Sequence, residues 1–430
     1  MIYVVDAIMG AGKTSAAINY MNAHPDEKFI YITPYLNETA RIRESCPGLD
    51  FIEPSDKMVK YKFRKSTHAA ELIAEGKNIA ATHQLFLRYT NEMLDNIRKH
   101  GYTLILDESL NMFETVETSQ TDIDILCQTG YLERRPDGRY VCVNAEYDGG
   151  VDMYRRILER CREQELIDLI SHQTKGKNTK YGVYNWRVSP TLISSFGKVY
   201  VLTYLFESQE MWAMFACSGL EYTKIGVRVD ENGKHLFSES GGYVPGYVKT
   251  LPGKIHIIQD NELNYIGRDK TALSMSWMKR DPSGVNVLRK NIRYVFRTVW
   301  GDETKNERMW CTYSEDKNKL RGEGFTKAFT PFNLRATNEY ADRTRLVFAV
   351  NIFCNVGQRM FYMEHGVALN EDLYALSTMI QWVWRSAIRN GKEIYLYVPS
   401  KRMRTLFTQW MDMVSKGGVD VGRICYSENM

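Results

Sequence analysis

The first fifteen residues constrain this chain most. Ile2-Tyr3-Val4-Val5 is a short β-branched and aromatic run, followed at once by Asp6-Ala7-Ile8-Met9-Gly10-Ala11-Gly12-Lys13-Thr14-Ser15. An alanine-rich helical pattern, Ala16 to Met21, comes next. With Ala7 at the first position and Gly12-Lys13-Thr14 at the end, the loop fits the phosphate-binding pattern. The chemistry demands this order. A strand delivers the chain to a sheet edge, small residues let backbone N–H groups curl around a phosphate, and the new helix adds its positive end. Met9, Gly10, Ala11, Gly12, Lys13, Thr14 and Ser15 are the expected cradle. Lys13 would reach the β- and γ-phosphates, and Thr14 would give its hydroxyl to Mg²⁺. A glycine-rich turn matching by chance would not carry a strand before it and a helix after it.

Such a loop needs an acidic strand end to hold the cation and activate water. Tyr102-Thr103-Leu104-Ile105-Leu106-Asp107-Glu108-Ser109 supplies one. Asp107 would bind Mg²⁺ through water, and Glu108 would orient and polarise the attacking water. An acidic strand-to-loop turn is the plainer alternative.

Composition narrows the class. The chain has 430 residues, 44% hydrophobic and 25% charged, close to the soluble globular average, which excludes disordered, collagen-like and disulfide-scaffold proteins. No apolar run approaches the roughly 20 residues that cross a bilayer, so no membrane partner is expected. The net charge of +4 is no basic-tail signature, and nucleic acid would be met through a local groove. Eight cysteines with no paired metal spacing read as reduced thiols of a cytosolic protein. The chain starts inside its first strand, so no signal peptide is expected.

Asp107-Glu108-Ser109-Leu110 resembles the DExx box of superfamily 2 helicases, and other segments fall in that family's order. Phe29-Ile30-Tyr31-Ile32-Thr33-Pro34-Tyr35 resembles motif Ia, and Asn78 to Phe86, with Thr82-His83, resembles the strand preceding the DExx strand. Lys198 to Leu205 resembles motif III through Thr203, without the usual Ser-Ala-Thr form. Gln381-Trp382-Val383-Trp384-Arg385-Ser386-Ala387-Ile388-Arg389 matches the QxxxRxxR form of motif VI. Positions 381, 385 and 389 repeat every four residues, so on a helix they would share one face. Gln381, Arg385 and Arg389 would then point together at a γ-phosphate, Arg385 or Arg389 as its sensor. Arg308 to Tyr313 reads as motif IV. Phe329 to Tyr340 is similar to the variant motif V of small viral and phage helicases, with Thr337 and Asn338 in its loop and without the usual glycine-rich form. The resemblance covers roughly residues 1–110, 195–207 and 305–410, and leaves no room for an adenine-reading glutamine motif.

The resemblance implies an α/β fold: two RecA-like P-loop NTPase domains, parallel sheets flanked by helices, with small insertions. Domain 1 would span 1–210 with an insertion at about 111–190, a β-rich linker 211–283, and domain 2 284–430. Within the insertion, Arg134 to Val143 reads as a β-hairpin, Val151 to Ile170 as an amphipathic helix, and Lys175 to Lys180 as a basic loop. Tyr222, Tyr243, Tyr247 and Tyr265 are packing residues or base-stacking platforms. Val285 to Trp300 is a basic helix with Arg289, Arg293 and Arg297 on one face, for sheet packing or for backbone contact.

The implied activity is ATP hydrolysis in a cleft between the domains, moving along or unwinding DNA in phage replication or recombination. Cofactors would be ATP and Mg²⁺. The partner would be single-stranded or forked nucleic acid, DNA favoured, with other replication proteins as further candidates, met by a monomer in the cytoplasm of the host. Thr33, Pro34, Thr82, His83, Thr203, Thr337 and Asn338 would face the strand. Rival readings are a terminase-type packaging ATPase, an ATP-switched origin-binding protein and a small-molecule P-loop kinase.

Overall fold

The computed structural model describes the chain apart from residues 58–63, 117, 137, 145, 163, 169–183, 240–243, 335–338, 419–420, 422–423 and 427–430. The chain is α/β and forms two compact units. The first comprises Met1–Asp6, Lys13–Gly242 and Asn355–Leu369, the second Ala7–Gly12, Tyr243–Cys354 and Asn370–Met430. Among the described residues, no helix is long and apolar enough to cross a membrane.

The first unit opens with β1 (Ile2–Asp6), β2 (Phe29–Thr33), β3 (Ile79–Thr82) and β4 (Thr103–Asp107). These are short apolar runs without strict alternation, as expected of parallel strands covered on both faces; all five residues of β2 are buried. Helix Lys13–Ala23 follows β1 and buries Ala16, Ala17 and Met21. Helix Asn91–His100 is capped by the Thr90 hydroxyl, which accepts from Met93 N. It stops at Gly101 (φ 65°), whose left-handed conformation a side chain would resist, and the chain turns into β4.

The insertion after β4 holds β5 (Phe113–Thr115), β6 (Leu132–Arg134), β7 (Arg139–Cys142), β8 (Glu165–Asp168) and β9 (Tyr184–Arg187). They form an antiparallel sheet in the order β5-β9-β8-β7-β6. Its own core gathers Ile123, Leu126, Leu132, Tyr140, Leu158, Leu166 and Trp186. The hairpin expected at 134–143 is β6–β7. The helix expected from Val151 to Ile170 ends at Cys161, and β8 follows. Leu166 and Ile167 continue the apolar run but pair across strands with Trp186 and Asn185, so tertiary pairing overrides the helical spacing.

Then come β10 (Lys198–Thr203), β11 (Thr223–Val229) and β12 (His235–Ser238). The main sheet has the order β12-β11-β1-β10-β4-β2-β3, parallel except for the antiparallel edge strand β12. β10 thus separates the phosphate-loop strand from the acid strand. Helix Val356–Glu364, distant in sequence, belongs to this unit. Its Phe361 and Tyr362 rings meet Phe113 edge-on, each at 5.6 Å, and the Tyr362 hydroxyl donates to Glu210 O (3.2 Å).

The second unit is built on β13 (Ile255–Ile257), β14 (Arg308–Cys311), β15 (Arg345–Phe348) and β16 (Ile394–Tyr397). All are parallel, in the order β13-β16-β15-β14. The segment 211–283, read above as one β-rich linker, therefore feeds strands to two different sheets. Two buried arginines brace this unit. Arg308 donates to the carbonyls of Phe296 (2.7 Å) and Gly301 (2.8 Å). Arg402, 1% exposed, donates to Asp372 Oδ1, Asn351 Oδ1 and the carbonyls of Ile352 and Glu371. The basic helix expected over 285–300 is α-helical from Pro282 to Tyr294 and π-helical from Val295 to Val299. Arg293 and Arg297 still lie on one side across the wider turn, both within ion-pair reach of Glu323.

Candidate nucleotide-binding site

β1 ends at Asp6, whose carboxylate accepts from Leu205 N (2.8 Å) and Phe206 N (3.2 Å). That bond ties the end of the phosphate-loop strand to the turn after β10. The loop then runs through Gly10 (φ 77°) and Gly12 (φ 85°), conformations that only glycine adopts readily and that anion-binding nests use, while the Ala11 N–H between them donates to Ile8 O (3.2 Å). A Cβ on Gly10 would also lie 2.1 Å from the Tyr247 hydroxyl and 3.1 Å from the Trp384 ring. Tyr247 itself donates to Met9 O (2.6 Å) and stacks with Trp384. Of the four tyrosines singled out, Tyr247 is therefore engaged at the loop and Tyr222 packs on Phe206. Tyr265 lies under Arg268, and Tyr243 falls outside the described residues.

Lys13 and Thr14 open the following helix, and Ser15 sits in its first turn. The Thr14 hydroxyl donates to Asp107 Oδ2 at 3.5 Å. The Tyr31 hydroxyl donates to the same oxygen at 2.7 Å, and His83 Nε2 lies 2.9 Å from Asp107 O. Burial, and next the Glu108 carboxylate, push the Asp107 carboxyl up to about 6, against the lowering effect of the Tyr31 hydrogen bond. Burial and the Asp107 charge hold the Tyr31 phenol well above its usual range, so it stays a donor. Glu108 takes φ 68°, a left-handed backbone that costs a non-glycine residue roughly 1 kcal/mol or more, while its N–H still donates to Leu202 O (3.0 Å). Strained backbone of this kind clusters at functional positions.

Asp107 and the Thr14 hydroxyl are hard oxygen donors, and a half-buried carboxylate that resists ionisation is one that a cation would relieve. They fit Mg²⁺, which is usually held by one or two carboxylates with waters and substrate phosphates. Among the described residues no cluster of three or more His, Cys, Asp or Glu could hold a metal, so Mg²⁺ would rely on this sparse set. The raised carboxyl has a stability consequence. Its folded value lies above the unfolded 3.8, so the folded state loses stability from this group as pH climbs from about 4 to about 6. In EDTA at pH 8, Asp107→Asn should raise the thermal midpoint by the equivalent of about 1–3 kcal/mol. The gain should vanish below pH 4. A lower midpoint than wild type at pH 8 would show that the Asp107 charge is compensated.

The structure places the remaining expected residues differently. Thr33 is fully buried, its hydroxyl without a partner among the described residues, and Thr203 is fully buried and paired with Gln209 (2.9 Å). Neither side chain is exposed at its strand end. Thr82 caps helix His83–Phe86 by accepting from Leu85 N, and His83 faces the acid strand. Pro34 is partly exposed, and next to it Tyr35 and Leu36 stand out at 38% and 50% exposure, an apolar pair that strand-pattern reading passes over. Thr337 and Asn338 lie outside the described residues, as does the basic loop 175–180.

Gln381, Arg385 and Arg389 do not share a helix face. The α-helix Glu371–Val383 holds only Gln381. Arg385 and Ser386 turn by i→i+3 bonds to Trp382 and Val383, Ser386 is extended and caps Ile388 N, and Arg389 sits in the 3₁₀ turn Ala387–Asn390. Competition from the Ser386 hydroxyl for backbone N–H explains the break. Arg385 is buried, whereas Arg389 is half-buried.

Sequence comparison decides the family. The SPbeta prophage-derived uncharacterized protein YonV of Bacillus subtilis (strain 168) is 35% identical over 422 residues, covering 96% of this chain and 98% of that one. The chain belongs to the YonV family. Residues 249–411 match the model of the YonV C-terminal Rossmann-like domain, in keeping with the parallel sheet β13-β16-β15-β14. Two solved structures resemble this YonV-family chain along most of its length. One, titled XPD_Helicase, is 10% identical and covers 97% of this chain and 95% of that one, at a TM-score of 0.47. The other, Xpd4 of S. tokodaii, is 12% identical and covers 95% and 94%, at 0.43.

Proposed function

We propose that this YonV-family chain is an ATP-dependent nucleic-acid translocase or helicase of the superfamily 2 type. The observation that carries the reading is the meeting of Thr14 with Asp107 (3.5 Å) beside the strained Glu108, directly behind a glycine loop of left-handed turns. That set is the machinery of phosphoryl transfer to water. Backbone N–H groups of residues 12–14 and the Lys13 ammonium bind the phosphates. Thr14 and Asp107 hold Mg²⁺, which when bound offsets charge on the transferred phosphoryl group. Glu108 accepts a proton from the attacking water and fixes its direction. Tyr31 keeps Asp107 in place. Arg389, the less buried of the two motif VI arginines, senses the γ-phosphate, and Arg385 positions it. The motif order and the chain's length support a nucleic-acid motor over a small-molecule kinase. The prophage origin of the Bacillus subtilis relative supports a role in phage DNA replication or recombination.

The experiment is ATP hydrolysis by the full chain with a panel of single- and double-stranded DNA and RNA. Single-stranded DNA should stimulate hydrolysis several-fold, and EDTA should remove it. An unchanged rate with saturating DNA and RNA would falsify the motor reading.

A further inference from the structure

One basic feature plays no part in the hydrolytic set. In the second unit, helix Met275–Arg280, helix Pro282–Tyr294 and helix Lys317–Leu320 border an open cleft of about 270 Å³ lined by Met278, Lys279, Val285, Asn286, Arg289 and Lys319. We propose that this cleft is a phosphate-binding site that seats one nucleotide unit of a single nucleic-acid strand. The choice of a strand over a free nucleotide rests on the reading of the preceding subsection.

Three cations converge there from three elements, which the spacing of any single helix would not produce. The carboxylates nearby do not line the cleft. Glu315 is 4.0 Å from Lys279, and Asp316 is 2.7 Å from Lys319. Asp281 is occupied in capping, accepting from Gly284 N (2.9 Å) and the Ser283 hydroxyl (2.8 Å). Farther along the basic helix, Arg293 and Arg297 are matched by Glu323, and Arg297 also by Asp302. Arg289 hydrogen-bonds the neutral Asn286 side chain instead (2.7 Å), so its charge is delivered to the cleft. The floor is closed by the buried apolar side chains Met278 and Val285. The volume lies at the lower end of small-molecule pockets, roughly 300 Å³, which suits one nucleotide and not a duplex. A phosphate is the anion that a guanidinium and two ammonium groups recognise together.

The test is fluorescence anisotropy of a labelled oligothymidylate against the full chain at several salt concentrations, for wild type, Arg289→Ala, Lys279→Ala and the double variant. Lys319 is left intact because it neutralises buried Asp316. Each single change should weaken binding by about threefold to tenfold and reduce the slope of log affinity against log salt by about 0.7. The thermal midpoint and nucleic-acid-free ATP hydrolysis should stay at wild type. Equal affinity and slope in all four proteins would overturn the site. Equilibrium dialysis with dAMP supplies the second arm. Loss of dAMP binding with oligothymidylate binding retained would overturn the strand and assign the cleft to free nucleotides. Wild-type hydrolysis separates this inference from the motor reading. A wild-type chain that hydrolyses no ATP with any nucleic acid yet shows the Arg289-dependent salt slope keeps the cleft and loses the motor, and Lys13→Ala should keep that slope.

Discussion

Glu108→Gln should lower nucleic-acid-stimulated ATP hydrolysis by about 10²–10⁴, the contribution of a positioned general base, while ATP still binds. Glutamine keeps the size and can stay in the φ 68° backbone, so the loss would report proton acceptance and not collapse of the turn. Lys13→Ala should lower the rate by a comparable ~10²–10³, the worth of one preorganised charge-stabilising donor, and weaken nucleotide binding as well. The two variants therefore separate by affinity. Glu108→Gln traps nucleotide, and Lys13→Ala fails to hold it. Filter binding of labelled ATP alongside phosphate release reads both. A Glu108→Gln protein hydrolysing ATP at the wild-type rate would remove Glu108 from the mechanism.

Arg402→Ala should cost about 3–5 kcal/mol, the usual penalty for breaking a buried charged network from one side. Among the described residues, oxygen acceptors from four residues converge on this guanidinium: Asp372, Asn351 and the carbonyls of Ile352 and Glu371. Asp372 in turn accepts from Tyr426 N (2.9 Å). Truncation would remove the cation from beside the Asp372 carboxylate and a charged donor from the Asn351, Ile352 and Glu371 oxygens inside the second unit. At about 2–4 °C per kcal/mol for a unit of this size, the thermal midpoint should fall by roughly 10 °C. Arg402→Lys should recover only part of it, because an ammonium is not a planar fork that reaches all four acceptors. A midpoint within a degree of wild type would show that water enters and replaces the side chain.

What could be read in the chain beforehand followed the range of the interactions. The phosphate loop was legible because strand, small residues and helix start are consecutive, and each residue type has a local reason to be there. Asp107 and Glu108 were legible for the same reason. Tyr31 was not, since a tyrosine within an apolar strand reads as core, and only the pairing of β2 with β4 sets its hydroxyl on Asp107. The placement of β10 between β1 and β4 is likewise a long-range fact that local pattern does not carry. At 381–389 the period of four was genuine, but it ignored Ser386, a residue that commonly ends or begins a helix. The π turn at 295–299 left no mark in the residue types.

The insertion sheet enters through β5 and leaves through β9, and these two strands lie side by side, with Phe113 opposite Arg187. Its doorway into the main unit is thus one strand pair wide, roughly 5 Å between opposed Cα atoms. With a core of its own behind that doorway, it is a cassette. Lineages of this family could enlarge, shrink or exchange it while the parallel sheet and its phosphate loop went on folding as before.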